Sequence, residues 1–112
     1  MTYTIDDLKK ISENVATAYS SFTYRGDSLP PSMLGGLLRY IEHGVPPGDF
    51  WQGVLEVDLR KMIDHADDTN INLIVPYYIF CYNELPSNFW GTAARVQRFL
   101  ATHPRNKENE EA

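Results

Sequence analysis

The chain has little with which to do redox chemistry. It carries one cysteine, Cys81, in 112 residues, so no internal disulfide can form. Its place inside an apolar run predicts a buried thiol in a reducing compartment. Basic side chains are also scarce, ten Lys and Arg against fifteen Asp and Glu, for a formal charge of −5. No basic patch stands out to meet a phosphate backbone, so direct nucleic-acid binding is not expected. Long hydrophobic runs are missing too. The longest, Ile71 to Tyr82, is broken by Asn72 and Pro76, whereas a membrane-spanning helix needs about 20 apolar residues. The N-terminus, Met1-Thr-Tyr-Thr-Ile-Asp-Asp, is acidic where a secretion signal would be basic and then apolar. The expectation is a cytoplasmic protein with no membrane contact.

What is present suits one globular domain: 43% hydrophobic, 12% aromatic and 22% charged residues. A chain of this length buries roughly two-thirds of its unfolded surface, enough for a modest core. Thr4 with Asp7 resembles a capping box, and Ile5, Leu8, Ile11, Val15 and Tyr19 then recur at helical spacing. Residues 20–31 lose that period and predict a docked loop, pinned by Phe22, Tyr24 and Leu29, with Arg25-Gly26-Asp27 as a Gly-centred turn. Pro31 starts a second helix carrying Met33, Leu34, Leu37, Leu38 and Ile41, which Gly44 stops. Gly35 and Gly36 inside it point to a close crossing.

Pro46, Pro47 and Gly48 then make a corner. The pattern of Phe50, Trp51, Val54, Leu55, Leu59, Met62 and Ile63 predicts one long amphipathic helix from Phe50 to near Ala66. Residues 71–83, apolar nearly all round, predict the central and most buried helix, kinked or newly begun near Pro76. Thr92 caps a last helix with Ala93, Val96, Phe99 and Leu100. The expected fold class is all-α, a compact bundle of about five helices, with residues 1–101 as a single helical domain and 102–112 as a disordered acidic tail.

No constellation of catalytic type emerges. His43 and His65 belong to no paired-ligand motif, Asp64-His65-Ala-Asp67-Asp68 reads as a solvated helix end, and phosphate-cradling glycine loops are absent. No catalytic residue, metal or cofactor is assigned. Charge is distributed unevenly, however. Residues 40–68 hold seven acids (Glu42, Asp49, Glu56, Asp58, Asp64, Asp67, Asp68) against two bases, Arg60 and Lys61. An acidic helical face steers a basic partner.

The pattern Tyr40-Ile-x-His-Gly-x-Pro-Pro-Gly-x-Phe50, with Val54-Leu55-x-x-Asp58-Leu59, Ala66-Asp67-x-x-Asn70, Tyr82-Asn83-Glu84-x-Pro86 and Trp90-Gly91-Thr92, resembles small uncharacterised proteins encoded by bacteriophages and prophages. The resemblance covers roughly residues 33–100 and brings no reaction or catalytic residues with it. Where that pattern leads to a small residue or a cysteine before Trp-Gly, this chain has Phe89.

The resemblance implies a phage accessory protein in a bacterial host, acting on a host or phage protein and including inhibition of a bacterial defence system, as anti-CRISPR proteins do. The expected contact face is Glu56, Asp58, Asp64, Asp67 and Asp68. A second expectation is a small-ligand binder or enzyme using the corner formed by Tyr40, Glu42, His43, Asp49 and Trp51. A third is an acidic nucleic-acid mimic. Exposed Trp51 or Trp90 would mark a homo-oligomer surface.

Overall fold

The computed structural model describes residues 3–106. Helix α1 spans Ile5–Ser21. The capping box forms as expected: Asp7 N–H donates to Thr4 Oγ1 at 3.0 Å, and Thr4 N–H donates to the Asp7 carboxylate at 3.0 Å. Leu8, Ser12, Val15 and Tyr19 form its buried stripe.

The segment expected as a loop contains a small hairpin, with Thr23–Tyr24 (β1) antiparallel to Asp27–Ser28 (β2). Arg25 and Gly26 both take positive φ, 52° and 86°, the backbone of a two-residue hairpin turn. The fold is therefore mostly helical with one minor two-stranded ribbon.

A 3-10 turn, Pro31–Met33, leads into α2, Leu34–His43. Gly44 ends α2 at φ 66°. Gly36 in α2 lies against the Trp51 indole, 3.4 Å from where its Cβ would stand, whereas a Cβ on Gly35 would meet only the Arg39 side chain.

The long helix expected from Phe50 to Ala66 is two helices, α3 (Asp49–Glu56) and α4 (Leu59–His65). Val57, at φ 54° and ψ 48°, turns the chain, with Val57 N–H bonded to Val54 O and Asp58 N–H to Gly53 O. Those two bonds make a Schellman-type ending. Asp58 then caps α4 by accepting Lys61 N–H at 3.0 Å. Gly53 permits the fold-back: a Cβ there would sit 2.8 Å from the Met62 amide nitrogen.

The fourth expected element is a 3-10 turn, Asn70–Leu73, followed by α5, Ile74–Glu84. Pro76 lies in the first turn of α5, where its missing N–H has no helical acceptor to lose. After a further 3-10 turn, Ser87–Phe89, helix α6 runs Ala93–Thr102 behind its Thr92 cap.

The core gathers Leu8, Leu37, Tyr40, Ile41, Leu55, Tyr77, Phe80, Phe89 and Val96, all at most 1% exposed. The expected tail needs correction at its start. Thr102 completes α6 and His103 is 1% exposed. Here a polar-looking sequence hides an imidazole with two backbone partners. Residues 107–112 lie outside the described residues.

Candidate interaction surface

Helix α5 departs from expectation on one side. Pro76, Tyr77, Phe80 and Cys81 are buried, and burial pushes the Cys81 thiol up, leaving it protonated and inert. The opposite side is open: Ile71 is 38% exposed, Val75 55%, Tyr78 37% and Tyr82 68%. Their intervals of four, three and four residues place them on a single stripe, continued one turn back from α5 by Ile71. An apolar helix face of this kind is ordinarily covered.

At the C-terminal end of the stripe lies a groove of about 580 Å³. Tyr78 and Tyr82 stack with centroids 6.3 Å apart, and Trp90 meets Tyr78 edge-on at 5.6 Å. Leu85 and Val57 supply aliphatic wall, and Arg95 a cationic rim. Gly91, at φ 108°, donates its N–H to Leu55 O at 2.6 Å and ties this corner to α3. The Arg95 guanidinium is held over the same corner by a 3.2 Å bond to Ser87 O. Val57 is a β-branched residue in the left-handed region, a conformation that costs about 1–2 kcal/mol. Such strain concentrates at functional surfaces.

The five acids of the expected contact face have mostly local duties. The Glu56 carboxylate, 6% exposed, accepts from Lys61 Nζ at 2.9 Å and Gln52 Nε2 at 3.0 Å. That hydrogen bond raises the Lys61 pKa. Asp58 caps α4, and Asp67 accepts Asn70 N–H at 2.7 Å. Asp64 faces Arg60 at 3.7 Å in an exposed pair, worth about 0–1 kcal/mol. Asp68 is exposed, and among the described residues only its backbone oxygen accepts, from Asn72 Nδ2 at 3.2 Å.

The corner residues do not converge. Tyr40 is fully buried and donates to Phe89 O at 2.7 Å, while Trp51 Nε1 donates to Met33 O at 2.7 Å. Glu42 accepts from Ser12 Oγ at 3.3 Å. His43 is exposed, and Asp49 lies 3.7 Å from His65. Trp51 and Trp90, 3% and 6% exposed, are too buried to mark a surface by themselves.

His103, assigned from the sequence to the disordered tail, is instead buried and acts as a latch. Its Nδ1 accepts Arg105 N–H at 3.2 Å, so the ring proton sits on Nε2 and is donated to Ile41 O at 3.0 Å. Burial, with Arg105 and His43 nearby, lowers its pKa below the ordinary 6.5. The unfolded chain therefore binds the proton more readily than the folded one, and stability rises with pH across that window. Thermal melts are expected to be flat above about pH 7.5 and to fall as pH drops through about 6.5. A His103→Gln variant should lose that part of the slope, and an unchanged slope would refute the latch.

Among the described residues no group of three or more His, Cys, Asp or Glu side chains is placed to hold a metal ion, and no helix is long and apolar enough to cross a membrane. Comparison with protein families, with curated proteins and with solved structures finds no match to this chain.

Proposed function

We propose that the protein is a small interaction module that docks a protein partner along the open face of α5 and in the aromatic groove at its end. The observation that carries this is the stripe Ile71, Val75, Tyr78 and Tyr82, 37% to 68% exposed, on a segment with no charged residue from Thr69 to Asn83. Tyrosine, tryptophan and arginine, which meet at the groove, are the residue types that dominate binding energy at interfaces. The exposed acids Asp64 and Asp68 contribute steering rather than anchoring. With Glu56, Asp58 and Asp67 engaged in a pair and two caps, an array imitating nucleic-acid phosphates has little to draw on. The phage resemblance makes host or phage proteins, those of bacterial defence included, the first partners to test.

The test is capture from host lysate with three immobilised proteins: wild type, Val75→Ser/Tyr82→Ser and Asp64→Lys/Asp68→Lys. All substitutions are at exposed positions and should leave stability within about 0.5 kcal/mol each. A protein retained by wild type is expected to fall about tenfold on the α5 variant. On the charge variant it should weaken only at low salt. Retention that follows the acids alone would move the contact face to them, and retention indifferent to both variants would refute docking on this side.

A further inference from the structure

We infer that the occupant of the α5 surface is a second copy of the chain, its α5 packed antiparallel to the first across a twofold axis. This rests on the docking function proposed above and names its partner.

Charge excludes most of the molecule from meeting its own copy, because the chain is acidic overall and like surfaces repel. The stretch from Thr69 to Asn83 is the longest in the chain without a charge, and it carries the exposed apolar stripe. Glu84 follows Tyr82 by two residues, about 200° around the helix, and so stays off the stripe.

Shape then selects the direction. A twofold interface is isologous, so each residue meets a partner that meets it in return. Reversed upon itself, the stripe sets Ile71 opposite Tyr82 and Val75 opposite Tyr78, an aliphatic side chain against an aromatic ring at every contact. Parallel pairing would set Tyr82 on Tyr82 and leave Ile71 facing Ile71. Large-against-small alternation is what fills an interface.

The ends of the stripe agree. Exposed Asp67 and Asp68 precede Ile71, and Arg95 rims the groove beside Tyr82. Antiparallel packing brings the aspartates of one copy to the arginine of the other, twice by symmetry. In the parallel arrangement, acids would face acids and arginine would face arginine. The groove receives the partner's Ile71 between Tyr82 and Trp90.

The experiment is sedimentation equilibrium of the full chain from low micromolar to near-millimolar concentration, at low and at high salt. Wild type is expected to rise from the 12.8 kDa monomer toward twice that mass, and Val75→Glu to remain monomeric. Asp68→Lys and Arg95→Glu should each weaken the dimer about tenfold at low salt. The two together should restore it, since the pair is exchanged with its sign reversed.

Arg95→Glu is a mild change for the monomer, because position 95 lies three residues after the Thr92 cap and glutamate there completes a capping box. Wild type that stays at monomer mass throughout overturns the inference. So does a dimer untouched by Val75→Glu, or a double charge variant as weak as the singles. If wild type is monomeric while lysate capture still depends on Val75 and Tyr82, the docking surface stands and only the second copy falls.

Discussion

Replacing Gly44 with alanine is expected to cost about 3 kcal/mol and to lift residues 103–106 off the body. Two costs combine. The residue sits at φ 66° and ψ 30°, where an L side chain costs about 1–2 kcal/mol. In addition, the new methyl would stand 2.7 Å from His103 Cγ and 2.9 Å from Asn106 Nδ2. Neither neighbour can yield freely. The imidazole is held by Ile41 O and lies edge-on to Phe99 at 5.3 Å, and Asn106 Nδ2 donates to Gly44 O at 3.1 Å and Leu100 O at 2.8 Å. Urea unfolding reads the stability, and amide exchange at Arg105 and Asn106 reads the detachment. Gly48→Ala is the control, since nothing lies within 4 Å of its Cβ position. If Gly44→Ala costs only about 1–2 kcal/mol for its backbone conformation and leaves exchange at Arg105 and Asn106 unchanged, Gly44 is no more than a turn residue and the latch is not packed as described.

Gly44 also marks the limits of what the sequence discloses. Its role as a helix stop was legible, as were the Thr4 capping box and the Thr92 cap, because each rests on local backbone chemistry. That His103 would pack against Gly44 was not, since 59 residues separate them and no local signal marks the contact.

The break at Val57 was hidden for the opposite reason. A valine in the left-handed region violates the rule by which turns are recognised, and the helical period runs straight through it. Asp58, which caps α4, was read only as one acid of a charged face. Leu59 and Ile63, assigned to the buried stripe of one long helix, are 58% and 50% exposed because α4 starts afresh with its own phase.

For the interaction surface, the chemistry was legible and the burial was not. Residues 71–83 read as apolar all round, from which full burial followed. The 71, 75, 78, 82 spacing was visible within that stretch, yet only the packing of α1 and α3 against α5 decides which side is left open. The acids drew attention through charge, although three of them serve the fold.

Tyr40 separates a structural from a ligand-binding role most cleanly. Its ring lies among Phe89 at 6.3 Å and Phe99 at 5.0 Å, and those two stand 4.6 Å apart. Tyr3 closes the cluster edge-on at 5.9 Å from Phe89. The hydroxyl, its pKa pushed up by burial, stays neutral and donates to Phe89 O. Tyr40→Phe keeps the rings and strands that buried carbonyl, for an expected loss of about 1–3 kcal/mol. Tyr40→Ala removes the ring as well and opens a cavity where α2, the 87–89 turn and α6 meet, for about 3–5 kcal/mol. Against a total of about 5–15 kcal/mol for a native domain, the alanine variant should lose much of its cooperative melt and its near-ultraviolet aromatic signal. The phenylalanine variant should melt cooperatively at lower temperature. A Tyr40→Phe protein as stable as wild type would free the hydroxyl from its structural duty and return Tyr40 to the residues available for binding a ligand.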